Sequence, residues 1–111
     1  TGETAGEGEP ERAKEIRNPD DVDRLPVKVR HVQPTYPGWA LEQEVESEVV
    51  VSMVIGREGR VREVSIEQSS GYADLDEAAA EAVRNWRFTP ALIGERPVAV
   101  RAIQRIRFNL R

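Results

Sequence analysis

Hydrophobic and polar residues alternate along residues 98–110, the last long stretch of the chain. The even positions of this stretch are apolar except for Gln104, whereas most of the odd positions are polar or basic. A period of two is what a β-strand with one buried face and one solvated face requires. The run is also longer than the usual strand of about five or six residues. The pattern therefore predicts a long terminal strand with a basic outer face.

A hairpin and a helix are predicted upstream of this strand. Residues 49–55 are rich in β-branched side chains and alternate, a turn containing Gly59 follows, and residues 61–67 alternate again. Asp74 is then expected to cap a helix, because Glu77 lies three residues later and an apolar stripe at helical spacing runs on to residue 86.

The segment before the hairpin shows little regular alternation of hydrophobic and polar residues. Residues 26–32 alternate weakly and could form an extra edge strand or an extended arm. The prolines of the following Gln-Pro-Thr-Tyr-Pro run, residues 33–37, restrict the backbone to extended conformations. Residues 38–44 then favour a short helix.

Together these elements predict an α+β fold. It consists of a three-stranded antiparallel sheet, one main helix at about 74–87 and a short N-terminal helix packed on one face. A right-handed crossover that skips one strand would place residues 49–55 in the middle of the sheet. The final strand would then lie at an edge, antiparallel to the central one.

Charge divides the chain into two parts. Residues 1–24 carry eight acids and four bases with few large aliphatics, whereas residues 25–111 carry twelve of each sign. The first part cannot bury enough apolar surface to offset the entropy of ordering, so we expect a disordered linker over 1–24 and one domain over 25–111. The neutral domain argues against nucleic-acid binding.

Little in the sequence points to catalysis or metal binding. There is no cysteine, His31 is the only histidine, and no base accompanies the serines at 69 and 70. We therefore expect no cofactor, no metal and no enzymatic activity. The sequence contains no run of about 18 apolar residues, so it predicts no membrane helix within these residues. The remaining candidate is the sheet edge itself, because exposed strand edges commonly bind extended peptides by β-augmentation.

Several motifs resemble the C-terminal domain of TonB energy transducers over roughly residues 26–110. They are Gln33-Pro34-x-Tyr36-Pro37, Gly59-Arg60-Val61, Leu75-Asp76 before an alanine-rich helix, Trp86-Arg87-Phe88-x-Pro90, and Pro97-Val98 with Phe108. The sequence departs from that pattern at Ser47, where glycine is common, and at Trp39, which is unusual after Tyr-Pro-Gly.

The resemblance implies a periplasmic domain of an inner-membrane-anchored protein of Gram-negative bacteria. Such a domain grips the TonB box of outer-membrane receptors by strand addition, and an ExbB/ExbD-like motor acts through a membrane segment outside this chain. Siderophore or cobalamin transport is thereby coupled to the proton motive force. The implied partner-binding residues are Gln33, Pro34, Tyr36, Pro37, Val98, Val100, Arg101, Ile103, Arg105 and Arg107. The alternative is a structural domain that forms a homodimer, or docks another cell-envelope protein, through the same edge.

Overall fold

The computed structural model describes residues 16–110 of the 111-residue chain. Within them lie seven strands, two α-helices and one 3-10 turn, Pro19–Asp21. The strands are β1 (Ile16–Arg17), β2 (Lys28–Arg30), β3 (Ser47–Ile55), β4 (Val61–Gln68), β5 (Arg87–Phe88), β6 (Ala91–Ile93) and β7 (Arg96–Phe108). The helices are α1 (Gly38–Glu42) and α2 (Ala73–Arg84). No helix in this part of the chain is long and apolar enough to cross a membrane.

The predicted antiparallel sheet is confirmed, with β3 in its centre. β3 pairs with β4 on one side and with β7 on the other, and the β3–β7 register runs without a break from Ser47 opposite Phe108 to Ile55 opposite Val100. The short strand β1 extends the sheet beyond β7, and β6 pairs with the start of β7. The predicted α+β class, the main helix and the short N-terminal helix are therefore confirmed.

The core lies between α2 and one face of the sheet. Alternate residues of β3 and β7 point to this face, because successive side chains of a strand alternate between faces. Leu75 and Val83 of α2 are fully buried against them, and Trp86 closes one end of the core at 1% exposure. Burial of a large apolar side chain stabilises a fold by about 1.5–3 kcal/mol, so this stripe holds the helix in place.

The ends of α2 differ from the prediction. The helix ends at Arg84 rather than near 87, because the next residues form β5 and pair with β2 inside the region where the extra strand was expected. Tyr72, not Asp74, occupies the N-cap position, and no side chain caps the first turn. Asp74 instead accepts a hydrogen bond from Trp39 Nε1 at 2.7 Å.

Residues 16–24, which the sequence analysis assigns to the linker, lie against the sheet in this structure. β1 pairs in parallel with β7, Arg24 forms a bridge with Leu92, and Val22 packs on the core. The carboxylate of Asp23 also accepts a hydrogen bond from the amide of Gly94 at 2.5 Å. Such short pairings leave no period in a sequence, which is why composition alone assigned them to the linker. The rest of the predicted linker, residues 1–15, lies outside the described residues.

Candidate partner-binding edge

The outer edge of β7 is covered at residues 99–100 and open beyond them. β1 pairs with residues 99–100 on the side of β7 away from β3, and β6 pairs with residues 96–98. No strand within the described residues 16–110 pairs with residues 101–108 on that side. We call this eight-residue stretch the open edge.

The turn between β3 and β4 indicates which backbone groups the open edge presents. The Gly56 amide donates to the Arg60 carbonyl at 2.8 Å, so Gly56 directs its backbone groups toward β4 and the preceding Ile55 directs its own toward β7. Val100 pairs with Ile55, so the even-numbered residues of β7 direct their N–H and C=O groups toward β3 and the odd-numbered ones direct theirs away from it. Along the open edge the outward groups are those of residues 101, 103, 105 and 107.

The side chains of the open edge make its outer face basic with one apolar point. Arg101, Ile103, Arg105 and Arg107 are all exposed, and Ile103 is 68% exposed. Glu48 of the neighbouring strand lies 2.9 Å from the Arg107 guanidinium and 3.7 Å from that of Arg105. Exposed ion pairs of this kind contribute roughly 0–1 kcal/mol, so they orient the two arginines more than they stabilise the sheet.

Two of the expected partner-binding residues do not reach the open edge. Val98 and Val100 are buried in the core at 6% and 1% exposure. Their backbone edge is also taken, by Ala91 of β6 and by Arg17 of β1. The stretch that the structure leaves accessible therefore begins at Arg101.

The proline-containing arm meets β7 at the far end of the open edge. The Tyr36 ring packs edge-on against Phe108, with centroids 5.5 Å apart, and its hydroxyl donates to the carbonyl of Val45. Burial, reinforced by the charge of Glu46, raises the pKa of the Tyr36 hydroxyl above its ordinary value, so it stays a donor at neutral pH.

The other arm residues lie further from the edge. Pro34 and Pro37 are half-buried, and Gln33 lines a small cavity beside α2 that includes Ala78 and Glu81. The indole of Trp86 holds the start of the arm by donating to the Val32 carbonyl at 2.9 Å. The structure therefore brings Tyr36, but not Gln33, beside β7.

The two departures from the family pattern have structural roles that the sequence did not reveal. The Ser47 hydroxyl donates to the Ser70 carbonyl at 2.8 Å, which ties the start of β3 to the loop before α2. Trp39 contacts Tyr72 at 5.6 Å between ring centroids, in addition to its bond with Asp74. The only sequence signal for either contact is an unusual side chain that can donate a hydrogen bond.

The side chain of Gln104, the polar exception among the even-numbered residues from 98 to 108, forms a hydrogen bond within its own strand. Its side-chain amide donates to the carbonyl of Arg105 at 3.0 Å, and the residue is exposed. Because the residue is exposed, a polar side chain there leaves no buried group unpaired.

His31 has a packing role. Its ring lies 5.1 Å from that of Trp86, and its Nδ1 is 3.1 Å from the Lys28 amine, which sits 3.6 Å above the same indole. Burial lowers the pKa of Lys28 from its ordinary value. Within residues 16–110, no group of three or more histidine, cysteine or acidic side chains is placed to hold a metal ion.

Comparison with known proteins identifies the family. Residues 32–110 match the family described as the C-terminal part of the Gram-negative bacterial TonB protein. The chain belongs to the TonB C-terminal family. Protein TonB of Vibrio cholerae is 34% identical over 80% of this chain and 36% of its own length. Protein TonB of Xanthomonas campestris is 35% identical over 69% of this chain and 34% of its own length.

A solved structure supports the same assignment. The TonB C-terminal domain of Pseudomonas aeruginosa superimposes with a TM-score of 0.68 at 26% identity, covering 86% of this chain and 94% of that one. The chain spans about a third of the length of the two curated TonB relatives above. It therefore corresponds to the C-terminal part of a TonB protein in both sequence and fold.

Proposed function

We propose that this domain binds a short extended peptide, the TonB box of an outer-membrane receptor, by adding it as a strand to the open edge of β7. In this role the domain is the periplasmic end of an energy transducer anchored in the inner membrane. An ExbB/ExbD-like motor, acting through a part of the protein outside this chain, supplies the force. The TonB C-terminal family is not an enzyme family, and the proposed role is mechanical coupling without chemistry.

The observation that carries the proposal is the unpaired edge at residues 101–108. Eight consecutive residues without a neighbour on one side expose a row of backbone donors and acceptors, and a peptide strand satisfies them with main-chain hydrogen bonds. The site is bounded at one end by β1 and at the other by the Tyr36–Phe108 contact. These two limits leave room for about four outward-facing residues.

Side chains of the open edge indicate which peptides fit best. A bound strand places alternate side chains on the outer face, next to Arg101, Ile103 and Arg105. Cross-strand neighbours of opposite charge, or two apolar neighbours, stabilise a sheet by roughly 0.2–1 kcal/mol each. We expect an acidic residue to be favoured beside Arg101, because Glu48 contacts the other two arginines, and an apolar residue beside Ile103.

A nuclear magnetic resonance titration tests the proposal. The uniformly labelled chain is titrated with a synthetic TonB-box peptide, and the backbone amide signals are followed. The largest shifts and the strongest protection from exchange are expected at the outward amides of residues 101, 103, 105 and 107, with the Tyr36 ring also affected. Shifts confined to residues outside the open edge and the arm would contradict strand addition.

Methylated peptides provide a control that leaves the protein unchanged. In an added strand, the amides of every second residue point toward β7 and the remaining amides point away. Methylating the amides of one phase should abolish binding, whereas methylating the other phase should leave it nearly unchanged. Equal loss in both phases would indicate side-chain recognition without a shared sheet.

A pair of protein variants tests whether the backbone of β7 takes part in peptide binding. Ile103→Pro removes an outward N–H at a position where edge strands tolerate proline, whereas Ile103→Ala keeps the N–H and removes the same side chain. The proline variant should bind the peptide several-fold more weakly than the alanine variant. Similar affinities for the two variants would show that the backbone of residue 103 takes no part.

A further inference from the structure

The fifteen residues that precede β1 carry all their acids at positions of one parity. Every acid of residues 1–15 has an odd number, and both bases have even numbers. The acids are Glu3, Glu7, Glu9, Glu11 and Glu15. Because successive side chains of an extended chain point to opposite sides, these acids share one side whenever the segment is extended. We call residues 1–15 the acidic segment.

The open edge of β7 has the complementary pattern. Its outer face carries three exposed arginines and Ile103, all at odd positions. One carboxylate, that of Glu48, is divided between two of these arginines, at 3.7 Å from Arg105 and 2.9 Å from Arg107. The odd-numbered residues also direct their backbone groups away from β3. Positive charge and unpaired backbone groups therefore occur at the same residues.

We propose that the acidic segment adds to the open edge as a strand of the same chain and must be displaced before a receptor peptide binds. The inference rests on the proposed function of the open edge and concerns the regulation of that site. Cross-strand neighbours of opposite charge, and pairs of apolar neighbours, stabilise a sheet. The antiparallel register that provides both consists of the pairs Glu7–Arg101, Ala5–Ile103 and Glu3–Arg105.

The position of β1 favours this direction. Ile16 lies opposite Ala99, and β1 runs parallel to β7. In the antiparallel register, Glu7 ends two positions away from Ala99, and residues 8–15 form the loop that reverses the chain. A parallel strand that began opposite Arg101 at Glu3 would place Glu9 about 26 Å from Ile16. That distance exceeds the roughly 23–25 Å that the connecting residues can span.

The composition of the acidic segment suits a strand that is easily displaced. The even positions of its first half are Gly2, Thr4 and Gly6, which place little bulk on the side of the Tyr36–Phe108 contact. Glycine also weakens a strand, so the intrinsic affinity for the edge is low. Attachment to the same chain compensates, because a short linker gives an effective concentration on the order of millimolar. The segment therefore covers the edge while leaving it available to a better-fitting peptide.

A spin label tests the contact in the absence of any peptide. The chain has no cysteine, so Thr1→Cys provides a single site for a nitroxide. At low salt, the label should broaden the amide signals of residues 105–107 most strongly, and raising the salt concentration should restore them. Ala13→Cys carries the label within the proposed loop and should broaden signals near β1 instead. Absent or uniform broadening from the label at residue 1 would overturn the proposal.

Two charge-reversal variants of the full chain test the regulatory consequence. Glu3→Lys/Glu7→Lys changes the acids beside the arginines, whereas Glu9→Lys/Glu11→Lys makes the same change in net charge within the loop. The first variant should bind a TonB-box peptide about threefold more tightly than the parent, which corresponds to an edge covered about two-thirds of the time. The second should bind as the parent does. Equal affinities for all three chains would overturn the proposal.

The failure of this inference can be distinguished from failure of the proposed function. A peptide that shifts the open-edge amides equally well in the parent and in Glu3→Lys/Glu7→Lys, with no broadening from the spin label, would overturn the strand from the acidic segment and leave peptide binding intact. A peptide that shifts no open-edge amide even in Glu3→Lys/Glu7→Lys would overturn the proposed function. In that case the spin-label measurement alone decides whether the acidic segment lies on the edge.

Discussion

At the scale of single residues, Asp76 joins the end of β4 to helix α2. Its carboxylate accepts hydrogen bonds from the Ser69 hydroxyl at 2.5 Å, the Ser70 amide at 2.8 Å and the Ser70 hydroxyl at 2.8 Å. Partial burial alone would raise the pKa of Asp76, but these three donors outweigh it and lower the pKa below the ordinary value. The residue therefore replaces the missing N-cap side chain by fixing the loop that leads into the helix.

This arrangement makes stability depend on pH. Because the pKa of Asp76 is lower in the folded chain than in the unfolded one, its contribution is complete above the unfolded value of about 3.9 and is lost as the pH falls through the folded value. Asp76→Asn should lower the free energy of unfolding by about 1.5 kcal/mol at pH 7, measured by urea denaturation. The difference between variant and parent should shrink below about pH 4. Glu77→Ala, an exposed acid one residue later, should change stability little, and an equal loss there would contradict the role of Asp76.

Gly59 is a second residue on which the fold depends. Its φ is +86°, and a Cβ placed there would lie 1.9 Å from the Phe88 carbonyl oxygen, where β5 approaches the hairpin turn. The amide of Phe88 also donates to the Gly59 carbonyl at 2.9 Å. Both the backbone conformation and the close approach therefore require glycine.

Substituting alanine at two glycines separates these effects. Gly59→Ala should destabilise the domain by about 3 kcal/mol or more, since it combines left-handed strain with displacement of β5. Gly71 also has a positive φ, +96°, but nothing lies within 4 Å of the position that a Cβ would occupy there. Gly71→Ala should cost only about 1 kcal/mol, the strain alone. Thermal or chemical denaturation compares the two, and equal losses would contradict the steric argument.

At the scale of elements, the sequence predicts the longer strands and helices, which show a period, and misses the shortest strands, which do not. β3, α2 and β7 were predicted because each buries one face over nine or more residues, and burial leaves a period in the sequence. β4 has no fully buried residue and was predicted from its weaker alternation after the turn. β1, β5 and β6 have two or three residues each, too few to show a period. They form because neighbouring backbone edges need partners, which is decided by tertiary structure.

The candidate site shows the same division. Alternation predicted that Arg101, Ile103, Arg105 and Arg107 would point outward, and the structure places them there. Neither alternation nor family resemblance indicated that β6 and β1 pair with β7 at Val98 and Val100. The sequence therefore predicted the face of the strand well and the extent of its open edge poorly.

The role of β1 as the boundary of the open edge leads to a prediction. Removal of residues 1–18 should expose the outward amide of Ala99, which pairs with Ile16, and should accelerate its hydrogen exchange. Removal of residues 1–14 keeps β1 and serves as the matched control. Amide exchange measured by nuclear magnetic resonance compares the two truncated chains. Unchanged exchange at Ala99 in the shorter chain would show that β1 does not protect this edge.

At the scale of the whole molecule, the charge of the open edge opposes self-association. Two copies that paired antiparallel through β7 would bring Arg101, Arg105 and Arg107 of each close to the same residues of the other. Like charges opposite each other destabilise a sheet, and charged residues on edge strands commonly prevent such pairing. Glu48 offsets only part of this charge.

The chain should therefore be monomeric at moderate salt, and its charge should be the reason. Replacing the three arginines by glutamine is expected to increase dimer formation through β7, measured by sedimentation velocity over a range of concentrations. Raising the salt concentration should shift the parent chain in the same direction, because screening weakens the repulsion. A parent chain that forms a stable dimer at low salt would instead support the alternative role as a self-associating domain.

The attachment of residues 16–24 has a mechanical consequence for the molecule. A pull on the N-terminal side of the chain acts first on β1, which is held by two backbone pairs to β7, and then on the Arg24–Leu92 bridge. These contacts are few compared with the nine register pairs between β3 and β7. Nine residues released in extended form add about 30 Å of length. Under such a pull, the segment should therefore lengthen before the core yields.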